Sequence, residues 1–166
     1  MSQETPLFQE SQHFSPSFYT MFLACLIMVY VMPAVTPGVG ATMLPIEILF
    51  TAAMLLTFNL LFMRTAVVEG EIEVKFGWLF TLYSKRIPLD TVSEIEPVRY
   101  EPMKDYGGWG IRGWGKRRAL NARGEVGVLL TLTDNSKLLI GSQVPQELAE
   151  AAQAAKKRSS YGTPVR

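Results

Sequence analysis

The strongest constraint on the fold is the window of residues 14–63, which carries a single charged side chain, Glu47. Two apolar blocks fill this window, at about residues 18–35 and 43–63. A helix that crosses the bilayer core, which is roughly 30 Å thick, needs about 20 apolar residues. The window therefore predicts two transmembrane helices that form a hairpin.

The connection between the two blocks is rich in helix-breaking residues, with Pro33, Pro37, Gly38 and Gly40 close together. Such a cluster is typical of a tight turn. Two other interpretations of the window remain open. One is a buried core hairpin in a soluble protein. The other is a secretory signal peptide cleaved near residues 39–41, although the N-terminal region lacks the usual positive charge.

The distribution of charge predicts the orientation in the membrane, whereas the net charge of +1 does not. No Lys or Arg precedes Arg64. Lys and Arg that flank a span favour the cytoplasmic side. We therefore expect the C-terminal part in the cytoplasm, and two spans would return the N-terminus to the same side.

Two polar side chains, Glu47 and Asn59, lie within the second apolar block. A carboxylate in hydrocarbon is costly unless it is hydrated, protonated or paired. About one turn from the outer end of the block, Glu47 either reaches interfacial water or contacts a partner subunit. Asn59, near the inner end, could form a hydrogen bond across a helix interface. We expect both positions to tolerate substitution unless a partner helix is present.

After Arg64 the hydropathy period changes to two. Glu71, Glu73 and Lys75 alternate with apolar residues, which is typical of a half-buried antiparallel strand. On such a strand Glu71 and Glu73 share the solvent face, so we interpret Glu69, Glu71 and Glu73 as solvated side chains rather than as a metal site. Further strands are predicted near residues 79–86, 92–98, 118–121, 126–132 and 137–140, followed by an amphipathic helix that begins at Pro145.

These patterns divide the chain into four parts: a polar N-terminal tail (1–17), a transmembrane hairpin (18–64), a small β domain closed by the C-terminal helix (65–158) and a C-terminal tail (159–166). The predicted fold class is membrane-anchored α+β, with an antiparallel barrel or sandwich after the hairpin.

Motifs for catalysis or cofactor binding are not recognisable in this sequence. The glycine-rich run from Gly107 to Gly115 lacks the Lys-Ser/Thr ending of a phosphate loop. His13 is the only histidine and Cys25 the only cysteine, so neither has a partner of its own type. We predict a non-enzymatic protein with no catalytic residue, cofactor, metal, small-molecule substrate or nucleic-acid partner.

The loop of residues 106–118 combines tryptophan with basic side chains and forms the candidate contact surface. In an up-and-down meander, successive connections between strands alternate between the two ends of the domain. Counted from the end of the second apolar block, this alternation places the loop and the Gly77-Trp78 turn at the membrane end. It places the start of the C-terminal helix at the far end. The predicted membrane or partner contacts are Trp78, Trp109, Arg112, Trp114, Lys116, Arg117 and Arg118. Alternatively, Trp109 and Trp114 close one end of the barrel, and the basic residues are solvated.

The order GGWGIR, strand, IGSQ and proline-started helix resembles membrane-anchored bacterial pleckstrin-homology-like (PH-like) proteins, over about residues 65–157. The resemblance implies a PH-like barrel or sandwich capped by the C-terminal helix. It also implies a location in the bacterial cytoplasmic (inner) membrane. Phosphoinositide binding is not carried over, because the first hairpin, around Gly70, is acidic.

Two functions follow from these expectations. The first is an interaction module that serves as an accessory subunit, stabiliser or assembly factor of a larger membrane protein complex. The second is a sensor in which the basic Trp loop, residues 106–118, binds anionic lipid headgroups.

Overall fold

A computed structural model describes residues 6–14, 16–36, 40–60, 62–68 and 70–161, which form an α+β fold. The described residues contain four α-helices, which are α1 (Pro16–Val35), α2 (Gly40–Leu60), α3 (Pro102–Tyr106) and α4 (Pro145–Tyr161). The same residues form nine strands, which are β1 (Phe8–His13), β2 (Phe62–Val68), β3 (Glu71–Phe76), β4 (Tyr83–Pro88), β5 (Val92–Arg99), β6 (Gly110–Trp114), β7 (Arg117–Asn121), β8 (Val126–Leu132) and β9 (Lys137–Gly141).

The strands form two sheets. The first has the order β1-β2-β3-β4 and is antiparallel throughout, and the second has the order β5-β8-β9-β7-β6. In the second sheet β7 and β9 are parallel, so the expected up-and-down meander is wrong there. Helix α4 contacts strands of both sheets and buries Leu148, Ala152 and Ala155 in the core.

Strand β1 lies in the segment that we expected to be a polar tail. Its six residues pair with β2, from Phe8 opposite Val67 to His13 opposite Phe62. The alternation of this strand is hidden in the sequence because Glu10 and Gln12 occupy its inward-facing positions. The prediction of a tail over residues 1–17 is therefore wrong for residues 8–13, and residues 1–5 lie outside the described residues.

Helices α1 and α2 form the hairpin, inserted between two neighbouring strands. The rings of Tyr19 and Phe58 meet near one end, with centroids 5.6 Å apart, and the hydroxyls of Tyr30 and Thr51 share a hydrogen bond farther along. This pairing requires antiparallel helices. The predicted Pro/Gly turn falls largely on residues 37–39, which lie outside the described residues.

Helix α2 ends three residues before the predicted boundary, because residues 62 and 63 belong to β2. Met63 is fully buried opposite Phe76, and it continues the inward face of Thr65 and Val67. An apolar residue at a helix end and one on the core face of a strand look alike in sequence, which explains the error.

Among the described residues, one helical stretch, Met43–Leu60, is long and apolar enough to cross a membrane. Only 6% of this stretch is buried inside the molecule, so its side chains face outward rather than into a core. The apolar stretch described for α1, Pro16–Val31, is shorter. The part of the chain that the structure describes therefore contains one candidate span, and a hairpin of two transmembrane helices is not supported.

The period-two pattern of β3 is confirmed: Ile72, Val74 and Phe76 are buried, and Glu71, Glu73 and Lys75 are partly exposed. Pro97 lies in β5, an edge strand, where a missing backbone donor is tolerated. The strand expected from residue 79 starts only at Tyr83. The C-terminal helix continues to Tyr161, past the predicted boundary at 158, and residues 162–166 lie outside the described residues.

Candidate functional site

Asn59 joins the end of α2 to the connection between β3 and β4. The backbone N–H groups of Trp78 and Leu79 donate to its Oδ1, at 2.9 and 2.8 Å. Its Nδ2 donates to the carbonyl oxygen of Phe80, at 2.9 Å. The side chain is buried although it lies one residue from the end of the candidate span. The amide thus fixes the position of this connection against the helix.

We call residues 77–82 the apolar loop. Its large side chains, Trp78, Leu79, Phe80 and Leu82, are all exposed, and Leu79 reaches 74%. Trp78 stacks on Phe62, with ring centroids 5.5 Å apart and an interplanar angle of 22°. Gly77 has φ +134°, and a Cβ there would lie 2.1 Å from the carbonyl oxygen of Phe80, so the loop requires glycine.

Trp109 lies beside the start of α1. Its ring meets Phe18 edge to face at 6.4 Å, and its Nε1 donates to the carbonyl oxygen of Gly124 at 3.3 Å. Arg112 folds back so that its Nε donates to the carbonyl oxygen of Trp109 at 2.8 Å. Trp78 and Trp109 therefore both lie at the end of the domain where the helices emerge, which we call the helix end.

The opposite end of the β6–β7 ribbon carries the other predicted contact residues. Residues 110–114 pair with 121–117, so Trp114 lies opposite Arg117, while Gly110 lies opposite Asn121 near Trp109. Trp114 is 95% exposed. Arg117 lies 3.6 Å from Asp105 and 5.0 Å over the ring of Tyr106. We call this region, with Lys116 and Arg118, the basic end.

The three tryptophans that we expected to lie together are therefore separated, with Trp78 and Trp109 at the helix end and Trp114 at the basic end. Strand β6 lies inside the segment that we expected to be one long loop, and it adds a reversal that the expected alternation of connections did not include. Every later connection therefore lies at the end opposite to the one expected. Residues 122–125 line a pocket with Phe18 and Trp109 at the helix end. Gln143 lines the same pocket, so α4, which begins two residues later, also starts at the helix end. The expected start of α4 at the far end is wrong.

The basic end forms an open concave surface with a volume of about 940 Å³. Its walls are residues 105–107 on one side and the ribbon on the other, and Arg112, Arg117 and Arg118 contribute the cations. Burial lowers the pKa of Lys85, and the nearby charge of Arg118 lowers it further. Strand β6 is the edge of its sheet, so its outer backbone groups pair with no strand among the described residues.

Glu47 lies in the first half of α2. Because α2 begins at Gly40, the carboxylate is seven residues, or roughly 10 Å, from the first residue of the helix. Its backbone carbonyl accepts a hydrogen bond from Thr51. Measured from the start of the apolar stretch Met43–Leu60, Glu47 lies four residues, or about one turn, inside the candidate span, which is the position that the sequence predicted.

The acidic residues of β3 form ion pairs on one face of the sheet. Glu73 contacts Lys75 at 2.7 Å and Arg86 at 3.2 Å. Burial alone would raise the pKa of Glu73, but the two cations outweigh it and the pKa is lowered. Glu69 lies outside the described residues. Within the part of the chain that the structure describes, no group of three or more His, Cys, Asp or Glu could hold a metal ion.

The sequence analysis missed the residues that join β1 to the second sheet. The carboxylate of Glu10 accepts hydrogen bonds from Ser142 Oγ at 2.7 Å and from the N–H of Gln143 at 2.8 Å. Gln12 Nε2 donates to the carbonyl oxygen of Gly141 at 2.8 Å. The only signal in the sequence is the alternation of Phe8, Glu10 and Gln12, which is too polar to predict a strand.

Comparison of the chain with protein-family models, with characterised proteins and with solved structures finds no match. The geometry of the helix end and of the basic end is therefore the basis for a functional proposal.

Proposed function

We propose that this protein is a non-enzymatic, membrane-anchored interaction module that serves a larger membrane complex as an accessory subunit, stabiliser or assembly factor. Helix α2 crosses the bilayer, and α1 packs beside it as the second arm of the hairpin. The two-sheet domain, with PH-like architecture, stays on the cytoplasmic side of the bacterial inner membrane together with β1.

One observation carries the membrane assignment: the hairpin presents large apolar side chains outward along its length. The exposed ones include Leu23, Ile27, Met28, Val31, Leu44, Ile48, Leu49 and Leu55. So extensive an apolar surface needs lipid or protein around it rather than water.

The attachment of the domain to the hairpin supports a role as a rigid platform. Only residues 14 and 15 separate β1 from α1, and one residue separates α2 from β2. Asn59 adds side-chain hydrogen bonds across the junction. A partner bound to the domain would therefore be held in a defined orientation to the bilayer.

The basic end is the surface that we propose for a protein partner. It lies away from the helix end, and it combines the exposed ring of Trp114 with the charges of Lys116, Arg117 and Arg118. Exposed tryptophan and arginine are the residue types that contribute most to protein interfaces. The unpaired edge of β6 offers backbone hydrogen bonds to an added strand.

Binding of anionic lipid by the whole loop, residues 106–118, is the weaker proposal. Trp109 lies toward the helix end, Arg112 lies midway along the ribbon, and Trp114 and Lys116 lie at its other end. A flat bilayer would have to contact both ends of the domain at once.

The test is affinity purification from membranes in mild detergent, with a Trp114→Ala/Arg117→Ala variant beside the unaltered protein. We expect a stoichiometric membrane protein that co-purifies with the unaltered chain and is lost from the variant. Lys104→Ala is the control, because that exposed lysine pairs only locally, with Glu101 at 3.6 Å. Equal recovery of the partner with both variants would contradict the assignment of the basic end. Recovery of the protein in the soluble fraction would contradict the membrane anchor.

A further inference from the structure

Packing within the domain does not account for the exposed apolar side chains of the apolar loop. It contributes four exposed, large apolar side chains, and no charged residue occurs from Gly77 to Ser84. In a domain surrounded by water, a continuous patch of this kind is unfavourable. The loop is also not free to fold away, because Gly77 and the three hydrogen bonds to Asn59 hold its backbone.

The depth of the loop follows from its contacts with α2. Asn59 belongs to the last turn of the candidate span, Met43–Leu60. The backbone of Trp78 lies 2.9 Å from Asn59 Oδ1 and 3.2 Å from the Asn59 carbonyl oxygen. The loop is therefore level with the end of the span, where hydrocarbon meets the headgroups.

The composition of the loop fits that depth. Tryptophan is enriched at the membrane interface because its ring is apolar and its N–H is polar. The side chains of Leu79 and Phe80, whose backbone groups are bonded to Asn59, are purely apolar and exposed. The hydrogen bonds to Asn59 hold this part of the loop next to the end of α2, so lipid that surrounds the helix would meet the loop next.

We propose that the apolar loop is a second membrane contact, inserted into the headgroup–acyl boundary beside α2. This inference depends on the proposed membrane anchor and specifies how the domain is oriented on it. With the span and the loop both in lipid, the domain is fixed by two points, which restricts tilting about the end of α2. The basic end then faces away from the bilayer.

The experiment uses the full chain in vesicles of phosphatidylcholine and phosphatidylglycerol with brominated acyl chains, which quench tryptophan on contact. A Trp109→Phe/Trp114→Phe variant reports on Trp78 alone, and Trp78→Phe/Trp109→Phe reports on Trp114. We expect brominated lipid to reduce the fluorescence of Trp78 and iodide in the water to leave it unchanged. The exposed Trp114 should show the reverse.

A second substitution tests the loop without removing the reporter. In the Trp78-only protein, Leu79→Asp should make Trp78 accessible to iodide while the protein still floats with vesicles through α2. Met103→Asp is the matched control, because Met103 is a similarly exposed apolar residue on α3, at 65%, outside the loop. It should leave Trp78 quenched by brominated lipid.

The possible failures are distinguishable. A protein that does not float with vesicles contradicts the membrane anchor itself. A protein that floats, but whose Trp78 responds to iodide and not to brominated lipid, retains the anchor and overturns the loop contact. Protection of Trp78 from both quenchers also overturns it, since a second copy or another protein would then cover the loop.

Discussion

At the scale of single residues, Asn59 shows how one polar group in an apolar segment can be structural. Its Oδ1 and Nδ2 together satisfy three backbone groups of the apolar loop. Hydrogen bonds of this kind contribute most where water is scarce, because the unpaired group is otherwise left desolvated. The expectation that this position tolerates substitution in the absence of a partner helix is therefore replaced by the opposite one.

Asn59→Ala should release the apolar loop. We expect the free energy needed to open the loop to fall by about 2 kcal/mol, because the Leu79 N–H loses its acceptor and the Trp78 N–H keeps only the longer hydrogen bond to the Asn59 carbonyl oxygen. Hydrogen exchange of the Trp78 and Leu79 amides in detergent should then be faster. The control is Thr57→Ala on the same helix, where the hydroxyl donates only to the carbonyl oxygen of Ala53. Unchanged exchange in Asn59→Ala would show that the loop is held by other contacts.

Tyr100 links stability to alkaline pH. Burial raises its pKa above the ordinary value, although the Asn121 Nδ2 group, which donates to the phenol oxygen at 3.0 Å, acts in the other direction. A tyrosine with a raised pKa in the folded state stabilises the protein fully below its unfolded pKa of about 10, and this contribution is lost as pH rises further.

Tyr100→Phe should therefore lower the melting temperature at pH 8, since Asn121 loses a hydrogen-bond partner, but should reduce the additional loss between pH 9 and 11. Melting curves across this pH range, followed by near-ultraviolet circular dichroism, give the comparison. An identical alkaline loss in Tyr100→Phe and the unaltered protein would exclude Tyr100 as its source.

At the scale of elements, β1 connects parts of the chain that no local signal relates. It extends the first sheet by pairing with β2, and its inward side chains reach residues 141–143 at the start of α4. The strand thus holds the two sheets together at the helix end. Its position immediately before α1 also makes it one of the two supports of the hairpin.

Glu10→Ala should lower the free energy of unfolding by about 2 kcal/mol, because two hydrogen bonds to a charged group are lost. Gln9→Ala, at the neighbouring exposed position of β1, is the control and should change stability little. Thermal or denaturant unfolding in detergent measures both. Equal stability of the two variants would show that the Glu10 contacts contribute nothing to holding the sheets.

At the scale of the whole molecule, the pairing of β1 with β2 determines topology. Residues 8–13 and 62–67 form one continuous ladder, so they must lie on the same side of any membrane that the hairpin enters. This requirement is independent of the charge pattern that predicts a cytoplasmic domain. The pairing of β1 with β2 also brings the start of α1 close to the end of α2.

Labelling of single cysteines tests this topology. In a Cys25→Ser background, Ser11→Cys and Ala154→Cys should react with an impermeant maleimide under the same conditions, and only after the cytoplasmic face is made accessible. Both positions are exposed. Reaction of one from outside the cell and the other only from inside would contradict the β1–β2 pairing in the membrane. Reaction of both from outside would contradict the cytoplasmic assignment alone.

The features that the sequence alone determined depend on near neighbours. The long apolar stretches of α1 and α2, the alternation of β3 and the apolar stripe of α4 are patterns within one element, and each predicts its own element. The chain also indicates that the domain follows the helices, since hydropathy changes abruptly at Arg64.

The tertiary structure alone decided the features that join distant residues. Glu10 meets Ser142 across 132 positions, and β7 lies parallel to β9 rather than beside β8. The run from Trp78 to Leu82 has the composition of a strand, yet Asn59 takes its backbone hydrogen bonds and makes it a loop. These pairings depend on which distant residue forms hydrogen bonds with each backbone group, and the local composition of a segment does not identify that residue.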